Sequence, residues 1–161
     1  MNGKLYLVPN TLDFGVEGAQ TDLHEVLPLG AMQIAARLQD WAAENAKTAR
    51  AFLKRVDAVV PLAQPLQSLS IQELPRPPKG RPAGDDSAPW AALLKPTLEG
   101  RDVGLISEAG LPAVADPGAR LVALAHRQGV EVVPLTGPSS LLLALAASGL
   151  NGQSFAFIGY L

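Results

Sequence analysis

Three short clusters hold the residues of this 161-residue chain whose types and spacing could do chemistry. Ser107-Glu108-Ala109-Gly110 is followed by Leu111 to Ala115 and then by Asp116-Pro117-Gly118; Thr136-Gly137-Pro138-Ser139 comes next, and Glu44-Asn45 lies far upstream. Glycines and short side chains leave few Cβ atoms in the way, so a ligand can lie close against the backbone. The acids Glu108 and Asp116 come without a lysine or arginine in either loop. With no Gly-rich GxGxxG and no Walker lysine, a polyphosphate ligand is disfavoured. His24 and His126 are not placed for a Ser-His-Asp triad, which argues against a hydrolase. The chain has no cysteine and only those two histidines, so no thiolate nucleophile, disulfide or metal site is expected.

Each cluster also has a plain architectural reading. Asp116 can cap a helix over 119–128 that begins with Pro117 and ends at Gly129, Gly110 can serve a turn with positive φ, and Ser139 can be a cap. Glu44 and Asn45 look the same as solvated cap residues. Arg50, Lys54 and Arg55 read as a solvated helix face, with substrate binding as the lesser alternative. Position favours a site, because two of the clusters follow strand-like runs, and open α/β sheets bind ligands at the carboxyl ends of their strands.

The elements that must position these residues alternate in the last third. Strand-like VGLIS from Val103, helix-like ARLVALAHRQ, strand-like VEVVPL from Val130, helix-like SLLLALAAS and strand-like SFAFIGY follow one another. Such alternation predicts parallel strands joined by helices, and the nearly continuous apolar strands predict a sheet covered on both faces. The helix over 140–148 is apolar almost all round and is expected to wedge against the sheet. The strand ends of the Val103 and Val130 runs are expected side by side. Upstream, Lys4 to Val8 reads as a strand that runs into a loop from Pro9 to Gly15, a third contributor to the site. Ala31 to Val56 reads as helix, short apolar segment, helix, with Ala49, Phe52, Leu53 and Val56 on one face. Residues 61–89 hold seven of the 14 prolines and read as a mobile loop, centred on 75–89, and Pro89 to Leu98 as a short helix up to Pro96.

The formal net charge of −2 gives no overall electrostatic footprint for nucleic acid. No apolar run approaches the roughly 20 residues of a membrane span and the start lacks a signal-peptide h-region, so a cytoplasmic protein without membrane partners is expected. The fold class expected is α/β: a mainly parallel sheet of five strands flanked by helices, in one domain over 1–161.

Ile106 to Gly118 (ISEAGLPAVADPG), Val133 to Ser140 (VPLTGPSS) and Ala147 to Leu150 (ASGL) resemble the tetrapyrrole methylase superfamily, nearest the branch of ribosomal RNA small-subunit 2′-O-methyltransferases. LYLVP at the start and WAAENAKTARAFLKR resemble it more loosely; Asn45 stands where the family has a common Asp, and the TPIGNL-like opening is here Pro9-Asn10-Thr11-Leu12-Asp13. The resemblance implies a Rossmann-like three-layer domain, an S-adenosylmethionine-dependent methyltransferase and a second domain beyond Leu161. It also implies ribosomal RNA as partner and a homodimer of the full protein. By position it carries over Ser107, Glu108, Ala109, Gly110, Asp116, Thr136, Gly137 and Ser139 as cofactor-lining, and Pro9, Asn10, Glu44 and Asn45 as substrate-binding. No catalytic residue is assigned, since a sulfonium is already activated and in-line positioning can supply much of the acceleration. The alternative is a non-catalytic cofactor-binding or dimerisation module that kept the fold.

Overall fold

The computed structural model describes residues 2–13, 20–76 and 87–160. Its centre is a sheet of five parallel strands: β1 (Leu5–Leu7), β2 (Asp40–Ala43), β3 (Ser70–Glu73), β4 (Val103–Ile106) and β5 (Val132–Pro134). They lie in the order β3-β2-β4-β1-β5. The register pairs Leu5 with both Val103 and Val132, and Asp40 with both Val103 and Ser70, so all five strands finish along one edge.

Alternation along the strands sorts side chains to two faces. Tyr6, Val8, Trp41, Ala43 and Ile106 point to one face, where they pack against α1 (Leu23–Val26), α2 (Leu29–Arg37) and α3 (Ala46–Asp57). Leu5, Ala42, Val103 and Leu105 point to the other, against α4 (Ser87–Leu98) and α5 (Gly118–Arg127). The result is the expected three-layer α/β architecture. The expected inward face of α3 is buried as read, with Ala49, Phe52, Leu53 and Val56 in the core. Gly104 is fixed by packing, since a Cβ there would meet the Trp41 ring at 2.7 Å.

Several expectations are corrected. The segment between α2 and α3 is a strand, β2, whose four residues are all buried; a run that short has too few residues to show a period. The region read as a mobile loop contains a 3-10 turn (Leu66–Ser68) and β3. That strand is polar and half-exposed, so only its pairing with β2 defines it. Of the loop placed at 75–89, residues 77–86 lie outside the described residues, and Ser87 to Pro89 are the first turn of α4. A proline there lacks only an N–H that has no helical partner anyway. The helix also continues past Pro96 to Leu98, because so near the end the ring interrupts only the last turn.

The carboxyl ends of β4 and β5 are not side by side. The crossover through α5 carries the chain over β1, which lies between them. Residues 151–160 form no strand and are exposed, and α6 (Ser140–Ser148) buries none of its residues: Leu142 and Leu143 are 52% and 57% exposed. β-Propensity becomes a strand only where a sheet edge receives it. The fifth strand is therefore β3 and not SFAFIGY.

Candidate functional site

Four loops meet along the carboxyl edge of the sheet. Reading across it, they are Glu44-Asn45 after β2, Ser107 to Pro117 after β4, Pro9 to Asp13 after β1, and Leu135 to Ser139 after β5. The β1 loop, expected as a third contributor, is the strut at the middle. Asn10 is buried and its Nδ2 donates to the carbonyls of Ser107 and Glu108, both at 3.1 Å. Its backbone N–H donates to Gly110 O at 2.9 Å, and Gly110 N–H returns a bond to Thr11 O at 3.3 Å. Glu44 closes the other flank: its N–H donates to Ile106 O, and its Oε2 accepts from Glu108 N–H at 3.0 Å.

The β4 loop is held in a costly shape. Gly110 has φ +66°, where glycine is at no disadvantage, but Ala113 and Ala115 share the left-handed region at φ 66° and 57°. Each such alanine costs on the order of 1–2 kcal/mol. Asp116 stabilises the turn, its carboxylate accepting from Ala113 N–H at 2.9 and 3.0 Å and from Gly118 N–H at 2.7 Å. The expected cap on α5 is shifted by one residue: Pro117 is the cap and makes no side-chain cap bond, the helix starts at Gly118, and Asp116 before the cap accepts from Gly118 N–H. Burial pushes the Asp116 carboxyl above its ordinary value; the Glu44 charge adds to this, and the two backbone N–H groups oppose it.

Between these loops lies a small cleft of about 80 Å³, lined by Leu12, Ala109, Gly110, Ser139 and Tyr160, with Leu111, Val114, Ser140 and Leu141. None of these residues is charged. Among the expected residues, Ala109, Gly110 and Ser139 reach it. Ser107 is buried, its hydroxyl donating to Ala109 O at 3.1 Å, and Asp116 holds the loop from below. Thr136 and Gly137 continue the β5 side, where a Cβ on Gly137 would meet Pro9 Cβ at 2.1 Å. Pro9 is buried beneath that contact, and the Asn10 amide is committed to the loops. Asn45 caps α3, its Oδ1 accepting from Lys47 and Thr48 N–H at 2.9 and 3.3 Å.

Sequence reasoning missed Leu12, Leu111, Val114 and Tyr160, apolar residues whose spacing carries no signal, and misread Arg55. Its side chain is 19% exposed and grips Asp13, Nη1 on Oδ1 at 3.3 Å and Nη2 on Oδ2 at 3.2 Å. It also donates to Thr11 Oγ1 at 3.3 Å and Thr21 O at 2.6 Å. Asp13 further accepts from the Thr11 hydroxyl and from Thr21 N–H. Burial alone would push the Asp13 carboxyl up, but these bonds and the Arg55 charge hold it below its ordinary value. Among the described residues, no group of three or more His, Cys, Asp or Glu could hold a metal ion, and no helix is long and apolar enough to cross a membrane.

The profile of the family described as Tetrapyrrole (Corrin/Porphyrin) Methylases matches residues 45–157. Relatives named ribosomal RNA small subunit methyltransferase I include one from Halalkalibacterium halodurans, 46% identical over 69 residues, 43% of this chain and 24% of the relative. One from Mesorhizobium japonicum is 55% identical over 62 residues (38% and 21%), and one from Escherichia coli O157:H7 is 42% identical over 69 residues (43% and 24%). The matched region thus spans about a quarter of the length of these curated relatives.

Proposed function

Because this chain belongs to the tetrapyrrole methylase family, we propose that it is the N-terminal domain of an S-adenosylmethionine-dependent methyltransferase. In this reading its strand-end loops form one wall of the cofactor cleft. The observation that carries the proposal is the character of the shelf: four parallel strand ends, small residues, and a lining without a lysine or arginine. A sulfonium cation is best received by carbonyl oxygens and neighbouring carboxylates, here Glu44, Glu108 and Asp116, whereas a basic lining would repel it. The cleft of about 80 Å³ is small beside the roughly 300 Å³ or more of an ordinary ligand pocket, which supports a second domain supplying the opposite wall.

When bound, the cofactor supplies an activated methyl group. The chain's own contribution is then positional. Asn10 and Glu44 fix the β4 loop from its two sides, Gly110 lets a ligand lie on bare backbone, and the apolar side chains of Leu12, Leu111 and Val114 line the cleft beside it. Ser107, Glu108, Ala109, Gly110, Asp116, Thr136, Gly137 and Ser139 are the residues we assign to the cofactor side, and Pro9, Asn10, Glu44 and Asn45 to the acceptor side. By analogy with the relatives' name, the acceptor is ribosomal RNA, at a ribose 2′-hydroxyl. The exposed apolar run of Phe155, Phe157, Ile158 and Tyr160 supports a further packed surface, which fits a homodimer in the full protein.

Calorimetric titration with S-adenosylhomocysteine tests the reading, on this chain and on one extended beyond Leu161. Binding by either supports it, and the extended chain is expected to bind more tightly. No binding by both would end it. Cofactor binding without methylation of small-subunit ribosomal RNA by the extended chain would favour the non-catalytic module instead.

A further inference from the structure

We propose that Lys47, Arg50 and Lys54, an exposed stripe on α3, form the docking surface for an RNA phosphate backbone beside the methyl-transfer site; the choice of RNA rests on the methyltransferase reading above. The three positions fall within an arc of about 60° at 100° per residue and span about 10 Å of helix. All three are exposed. The stripe begins three residues after Glu44, whose carboxylate holds the β4 loop, so it runs down from the edge of the site.

Two observations set these cations apart. Among the described residues, Lys4, Arg37, Arg55, Arg76, Lys95 and Arg101 each have a carboxylate within 4 Å, whereas Lys47, Arg50 and Lys54 have none; Arg127 at the end of α5 also has none, but it stands alone while the other three share one helix face. Among the described residues, the only side-chain bond from the stripe is the long one from Arg50 Nη1 to Ala46 O, at 3.5 Å. The acids on its flanks are engaged elsewhere: Glu73 on Ala46 N–H and Arg76, Asp57 on Leu62 N–H, and Asp13 on Arg55. The second observation is placement against the helix dipole. The first turn of α3 carries Lys47 and no acid, the reverse of what favours a helix on its own account. A surface that gives up this stabilisation and keeps its cations unpaired, in a chain of net charge −2, is suited to an external polyanion. The exposed residue between the cations is Ala51, too small to insert into a lipid surface, so RNA is favoured over a membrane.

The test uses Lys47→Gln/Arg50→Gln/Lys54→Gln, which keeps helix propensity, and a control with Lys95→Gln/Arg127→Gln, which removes cations elsewhere. Fluorescence anisotropy with a short single-stranded RNA is followed from about 50 to 200 mM salt. Loss of three phosphate contacts should weaken binding about tenfold and lower the slope of log K against log salt by about 2, with the control unchanged. Unchanged affinity and slope, an equal loss in the control, or no RNA binding by the parent chain would overturn the proposal. So would stripe-dependent binding to phosphatidylserine vesicles in preference to RNA. S-adenosylhomocysteine titration of this chain and of the chain extended beyond Leu161 runs in parallel: stripe-dependent RNA binding with no cofactor binding by either leaves the docking surface standing and removes the methyltransferase reading.

Discussion

Replacing Arg55 by Met removes the cation that holds the β1 loop while keeping an unbranched side chain at that place on α3. The exposures of the paired side chains, 19% for Arg55 and 17% for Asp13, place the pair between the surface and buried regimes. Exposed pairs contribute about 0.2–1 kcal/mol, and stripping one partner from a buried pair costs about 3–5 kcal/mol. A loss of about 2 kcal/mol is therefore expected at neutral pH, measured by urea denaturation. The Asp13 carboxyl is held below its ordinary 3.8, so its contribution is present above that value and is lost as pH falls through the folded-state value. The gap between parent and Arg55→Met should accordingly narrow as the pH is lowered below about 3.8. The double variant Arg55→Met/Asp13→Asn should recover part of the loss, because no charge is then left stranded. A single variant within about 0.5 kcal/mol of the parent, or a double variant equal to the sum of the singles, would refute the clamp.

Three further outcomes follow from the site and core. Gly110→Ala forces a Cβ at φ +66° with Leu12 Cδ2 3.2 Å away, and should cost about 1–2 kcal/mol in thermal or urea unfolding; under the proposed function it should also weaken S-adenosylhomocysteine in calorimetry. Asp116→Asn keeps an acceptor for Gly118 N–H but cannot ionise. Since the Asp116 carboxyl is raised, its favourable contribution is present below about 3.8 and is lost as pH rises through the folded-state value, and the Asn variant should lack that pH-dependent component in denaturation across pH 3 to 7, to the order that linkage predicts. Gly104→Ala would place a methyl 2.7 Å from the Trp41 ring in a close-packed core, and a cost of about 1–3 kcal/mol, or more if Trp41 has no room to shift, is expected in urea unfolding.

The chain's own residues determined a good deal. The alternation from Val103 to Gly149 dictated parallel strands, two covered faces and helix ends at Gly129 and Gly149, because continuous apolar strands and glycines of positive φ are local signals. The buried face of α3 was legible for the same reason: Ala49, Phe52, Leu53 and Val56 repeat at the helical period. Tertiary structure decided whatever depends on a partner distant in the chain. Whether Ile71 sits in a strand depends on Trp41 beside it, and SFAFIGY, strand-like in pattern, pairs with no strand of the sheet. The order that sets β1 between β4 and β5 made Asn10 the strut of the site, and no spacing encodes that neighbour. Arg55 has the same lesson at the level of one side chain. Its place beside Phe52 and Val56 on α3 fixes only the helix face, while the carboxylate that draws it inward is Asp13, 42 residues earlier. Periodicity reports burial, but pairing between distant groups is settled only when the chain has closed on itself.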